Sequence, residues 1–172
     1  MTTPLPTKLA LLVTLVIAIG AVVDFLVRRP DGEMEATFVA PYLWLLTGLF
    51  LVRVVGQLVV RFRAPSWLPP MSDWNLTPYH LLLPTQLVIL GAMAWIDVDF
   101  SSGSGAAATG RRALGLALLA FSGVYAGAMA VRYLVRMSRR PRERWFGGTI
   151  PIVFHWVLAS YLFVLGSFHA SH

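Results

Sequence analysis

The chain has 172 residues, of which 57% are hydrophobic and 13% charged, with 14 Lys and Arg against 8 Asp and Glu. A soluble domain carries about twice that charged share, so an ordinary globule, a disordered segment and a collagen-like repeat are excluded and an integral membrane protein remains. The absence of cysteine removes disulfides, thiolate zinc sites, iron–sulfur clusters and thioether-linked haem. Every basic residue but Lys8 is an arginine, and the arginines cluster beside apolar runs. That pattern points to membrane topology and anionic lipid, and away from nucleic acid.

A hydrocarbon core of about 30 Å needs about 20 helical residues at a rise of about 1.5 Å. Five stretches qualify: residues 9–27, 38–60, 79–96, 113–135 and 150–168. They predict an all-α polytopic transmembrane bundle of five spans, a single integral membrane domain over residues 1–172 with no soluble domain. Pro41 and Pro151 fall in first turns, where a missing N–H costs nothing. Pro30, Asp31 and Gly32 mark a turn. Residues 64–78, with Trp67 and Trp74 among four prolines, read as an interfacial loop. Residues 101–110 are small and glycine-rich and read as a flexible connection. Only Lys8 precedes the first span as a basic leader, and the apolar run continues past any cleavage site, so this span is expected to stay uncleaved. No internal repeat is visible.

Five spans place the N-terminus and the second and fourth connections on one side. That side holds nine basic residues: Lys8, Arg61, Arg63, Arg132, Arg136, Arg139, Arg140, Arg142 and Arg144. The other side holds four, Arg28, Arg29, Arg111 and Arg112, diluted by Asp31, Glu33, Glu35, Asp97 and Asp99. The positive-inside rule then sets the N-terminus in the cytoplasm and the C-terminus outside. The short loops and arginine asymmetry suit a multi-pass protein of a bacterial inner (cytoplasmic) membrane. Arg136, Arg139, Arg140, Arg142 and Arg144 form the densest charge run; it is a topogenic signal and a surface for anionic lipid or an acidic partner.

Six polar residues fall in the cytoplasmic half of the spans: Arg53, Gln57, His80, Gln86, Arg132 and His155. They are the candidate polar layer, because buried polar side chains avoid lipid and face the bundle or a cavity. His80 and His155 could ligate a b-type haem, or hydrogen-bond a quinone. Arg53, Gln86 and His155 could instead line a closed pocket for a lipid or small molecule between the second, third and fifth spans. The plainer reading ranks ahead, because the spacing matches no fixed motif. In it, Arg53 and Arg132 snorkel to inner-leaflet phosphates, His80 sits at the interface, and His155 bonds a backbone carbonyl or Gln86. Pro84 frees the carbonyl of His80 and could open a small pocket by Thr85 and Gln86. Asp24 has Arg28 one turn on. Asp97 and Asp99 read as helix-end and loop charges. His169 and His172, three apart on a frayed end, make a poor metal pair, and no metal site is expected. Gly115, Gly123 and Gly127 suggest a strip for close helix packing.

No catalytic motif stands out, so a stand-alone enzyme is not expected. The leading expectation is a small accessory subunit of a larger inner-membrane assembly, with other membrane subunits and anionic lipids as partners. A haem- or quinone-binding redox protein, and a lipid- or small-molecule-binding membrane protein or enzyme with a cytoplasmic-side polar pocket, are the alternatives. The native chain lacks cysteine, so its orientation is open to a clean test. A Ser138→Cys variant should be shielded in intact cells from an impermeant thiol reagent and label only after lysis; labelling from outside would invert the topology.

Overall fold

The structure, a computed structural model, describes residues 5–63, 68, 79–139 and 150–172, and residues 79–81 through their backbone alone. It is all-helical, with five helices: α1 Leu5–Arg28, α2 Ala36–Arg63, α3 Tyr79–Ser102, α4 Arg112–Arg139 and α5 Ile150–Ala170. Each is long and apolar enough to cross a bilayer, the architecture of a multi-pass membrane protein. Trp67, Trp74, Arg140, Arg142 and Arg144 lie outside the described residues.

Every helix runs past the apolar stretch that announces it, α3 and α5 at their C-terminal ends and the other three at both ends. A backbone inside hydrocarbon has no water to bond, so helical pairing must cover the whole apolar depth and its last turns reach the headgroup zone. Arginines also favour helix C-termini, where orphan carbonyls carry partial negative charge. Arg28, Arg61, Arg63, Arg136 and Arg139 occupy last turns in this way. The five helices alternate in direction. One end of the bundle, the basic end, gathers the starts of α1, α3 and α5 and the ends of α2 and α4. The far end gathers the α1–α2 and α3–α4 connections and the C-terminus.

α5 is the centre. It packs against α4, α2 and α1, and reaches α3 through Phe168 on Phe100, an edge-to-face pair at 4.6 Å. α2 is second in burial and touches α1, α3 and α5. α1 contributes a stripe of Thr7, Leu11, Thr14, Ala18, Ala21 and Phe25, alternately four and three residues apart, the spacing of one helix face. Phe25 closes that stripe at the far end against Phe38, Tyr42 and Phe163.

Among the described helices α4 packs on α5 alone, and the contact is between backbones. A Cβ on Gly115 would overlap the backbone of His169 and Ala170, and one on Gly166 would meet Leu118 Cβ at 3.0 Å. Ser122 Oγ donates to the Ala159 carbonyl at 2.8 Å, and Trp156 Nε1 to that of Ala126 at 3.2 Å. Lipid tails are as apolar as leucine, so such close packing and interhelical hydrogen bonds are what hold spans together. The expected strip of Gly115, Gly123 and Gly127 is corrected here. Gly123 and Gly127 have open space where a Cβ would be. At about 100° per residue they drift off the face of Gly115, whereas Ser122 and Ala126 stay near it.

The expectation of a flexible connection at residues 101–110 is also corrected. Gly103 adopts φ 65°; its N–H donates to Phe100 and that of Ser104 donates to the Asp99 carbonyl, which is a Schellman C-cap. The Asp99 carboxylate then accepts from Ala107 N at 3.0 Å. The C-terminus is tied in rather than frayed. Met34 N donates to Ser171 Oγ at 3.3 Å, His169 is buried against Phe100 and Phe168, and His172 lies over Phe168 and against Gly110.

These contacts separate the glycines by role. Gly115→Val should cost about 1–3 kcal/mol by overpacking and visibly lower the unfolding temperature in detergent, while Gly123→Val should leave it almost unchanged. Equal losses from both would mean that α4 does not meet α5 along this face.

Candidate functional site

α2 turns the face of Leu46, Phe50, Arg53, Val54, Gln57 and Val60 into the bundle. Its apolar members set the rotation, and Arg53 and Gln57, one turn apart on that face, are carried inward with them. Arg53 is 5% exposed, so it does not snorkel to open surface. Its guanidinium carbon lies 5.6 Å above the Phe154 ring, and its Nε has no hydrogen-bond partner among the described residues. Gln57 is 1% exposed with both amide atoms unpartnered, and Gln86 is 4% exposed with Oε1 unpartnered.

The cation–π contact is worth about 2 kcal/mol when desolvated. Placing an arginine in the centre of a span costs about 2.5–3.5 kcal/mol on insertion scales, and an orphaned buried donor costs about 1–3 kcal/mol more. Phe154 therefore offsets only part of the penalty at Arg53. Arg53 also lines a small cavity of about 140 Å³ between α1, α2 and α5 at the basic end, with Thr7, Leu11, Val52, Ile150 and Phe154 among its walls. The Thr7 hydroxyl is buried and unpartnered as well.

His155 faces a different neighbour. Its Nδ1 hydrogen-bonds the Tyr125 hydroxyl, the two rings meet edge-on at 5.5 Å, and Phe121 stacks on Tyr125 at 5.6 Å. The expected partners of His155, a backbone carbonyl or Gln86, are replaced by an α4 side chain. The expected pocket of Arg53, Gln86 and His155 is likewise corrected: the cavity at Arg53 is walled by α1 in place of α3, and neither Gln86 nor His155 lines it. Arg132 is exposed and does not join the buried layer; Arg136 is half-buried and Arg139 exposed. The His80 side chain lies outside the described residues, so of the histidine pair only His155 is placed, with Nε2 as the nitrogen not engaged by Tyr125. Pro84 and Thr85 lie on the exposed side of α3 and Gln86 on the buried side, so these three do not share one inward face.

Two features escape a reading by charge and depth. Asp97 is fully buried. Tyr161 Oη donates to Asp97 Oδ1 at 2.9 Å, and the buried Thr47 hydroxyl adjoins the same carboxylate. The signal was present in the spacing: Gln86, Met93, Asp97 and Phe100 are buried at intervals of seven, four and three, one helical face. Tyr125 gave a weaker signal, a lone phenol among small residues. Asp24, by contrast, pairs with Arg28 Nε at 2.7 Å and also accepts from Tyr42 Oη at 2.8 Å.

A second feature is lateral. α1 and α4 stand apart on α5 and leave an apolar groove of about 840 Å³, floored by Ala18, Ser122, Gly123, Ala126, Ala159 and Ser160. Among the described residues no cluster of three or more His, Cys, Asp or Glu is placed to hold a metal. The polar layer offers fixed positive charge and amide and phenol groups, which suits holding an anion or a hydrogen-bond acceptor. No family model, no curated protein and no solved structure matches the chain.

Proposed function

We propose that the chain is a membrane-embedded binding protein that holds a ligand bearing an anionic group at Arg53. The observation that carries this reading is a buried guanidinium, without a carboxylate partner among the described residues, on the wall of a cavity. A guanidinium keeps its charge in proteins, and a charge in low dielectric is tolerated where it is paired. A ligand anion supplies the missing pair and accepts the orphaned N–H. With the basic end in the cytoplasm, Arg61 and Arg63 close the helix that carries Arg53 and draw anions to that face of the membrane. Native mass spectrometry of protein extracted in mild detergent tests the proposal. The wild type should retain a bound anionic species that Arg53→Gln loses, with equal helicity by circular dichroism. The same bound mass on both proteins would refute it.

A second reading is an accessory subunit of an inner-membrane assembly, favoured by the groove between α1 and α4. Its small-residue floor lets a partner helix approach closely, and Gly123 leaves that space open. Gly123→Leu should then abolish a high-mass band on native gels of mildly solubilised membranes while the isolated chain unfolds at its usual temperature. A band that persists, or none in the wild type, removes this reading.

A further inference from the structure

The cavity at Arg53 has more to say about its ligand than charge. We infer that it takes the bare carboxylate or phosphate head of a single-chain amphiphile, which reaches Arg53 sideways from the lipid between α1 and α2. This rests on the ligand-binding reading above and adds the chemical class and the route.

The route follows from where α1 and α2 are joined. Their ring contacts and their side-chain hydrogen bond all involve Phe25, Phe38, Tyr42 and Asp24, at the far end. At the basic end the same two helices are separated by the cavity. Val52, one of its walls, is 61% exposed, so the cavity borders the lipid-facing surface of α2. A ligand from the bilayer passes Val52 to reach the guanidinium.

The class follows from the lining and the depth. Leu11, Val52, Ile150 and Phe154 make most of the wall apolar, with polar groups from Arg53 and from Thr7 and Thr14. Thr14 Oγ1 already donates to the Ala10 carbonyl at 2.8 Å, whereas Thr7 Oγ1 is unpartnered. The available donors are therefore Arg53 and Thr7, one charged and one neutral. That pair suits a compact anion, since a charge-assisted bond is the stronger type and the hydroxyl satisfies a second oxygen. A fully hydrated inorganic ion would exchange its water for mostly apolar walls, which is unfavourable. An alkyl chain behind the head instead gains from contact with those walls. Arg53 lies seven residues inside Val60, about 10 Å by helical rise, below the level of ordinary lipid headgroups. A volume of about 140 Å³ holds a bare anionic head and its first methylenes, and excludes the large head of a diacyl phospholipid.

Thermal unfolding of the delipidated, detergent-solubilised chain separates the outcomes, with oleate, dodecyl phosphate, the neutral dodecanol and inorganic phosphate as probes. Oleate or dodecyl phosphate, or both, should raise the unfolding temperature while dodecanol and inorganic phosphate leave it unchanged; which of the two works identifies the head. Arg53→Gln should weaken that binding about tenfold or more, the loss of one hydrogen bond to a charged group. Thr7→Val should weaken it less. Val52→Trp, at an exposed position where folding is spared, should block access. Stabilisation by inorganic phosphate alone overturns the amphiphile inference and leaves the anion-binding reading standing. Stabilisation by dodecanol as strong as by oleate overturns the role of Arg53, and no stabilisation by any charged probe overturns both.

Discussion

The bundle depends on α5 being able to touch everything else. It supplies the common surface for α1, α2 and α4 and takes α3 through two long side chains, Tyr161 to Asp97 and Phe168 to Phe100. In a bilayer the solvent exerts no hydrophobic pressure between spans. A helix with so many neighbours must therefore hold them by fit and by hydrogen bonds. Gly166 lets α4 come within backbone contact, and Ser122 and Trp156 bond carbonyls across that seam. Because α4 has no other helical neighbour among the described residues, the quality of this one seam decides how firmly the fourth span is held in the bundle.

Around this centre the polar side chains are sorted into two kinds of environment. Near the far end they are mostly satisfied: Asp24 by Arg28 and Tyr42, Asp97 in part by Tyr161, Asp99 by the chain it turns. Near the basic end Arg53, Gln57 and Gln86 keep atoms without partners. Polar groups that stabilise a fold are paired within it. Groups left unpaired in a protein interior cost stability, and the unpaired guanidinium beside a cavity is what carries the proposed binding function.

The number and placement of the helices were legible from apolar run length, since the bilayer imposes that length on any span. The helix ends were less so. A count that stops at the first charge cuts α3 at Ile96, whereas the helix runs on to Ser102 because Asp97 faces inward and the Schellman turn lies further along. Depth along each span was enough to bring Arg53, Gln57 and Gln86 forward as buried polar groups. It was not enough to say which neighbour each would meet. His155 pairs with Tyr125 on α4, and Arg53 opens toward α1, because rotation about a helix axis is set by the apolar residues around a polar one. Gly123 and Gly127 illustrate the same limit: their spacing is a packing motif, but the register of α4 on α5 is decided by Gly115 and Ser122.

The central position of α5 also bears on the order in which the molecule comes together. α5 is the last of the described helices to be synthesised, so α1 to α4 enter the bilayer before the surface on which they converge exists. Insertion and packing are thereby separated in time. Until α5 arrives, α4 has no helical neighbour to lean on, and Asp97 lacks the Tyr161 hydroxyl. Arrival of α5 is the event that gathers the other described helices onto one shared surface.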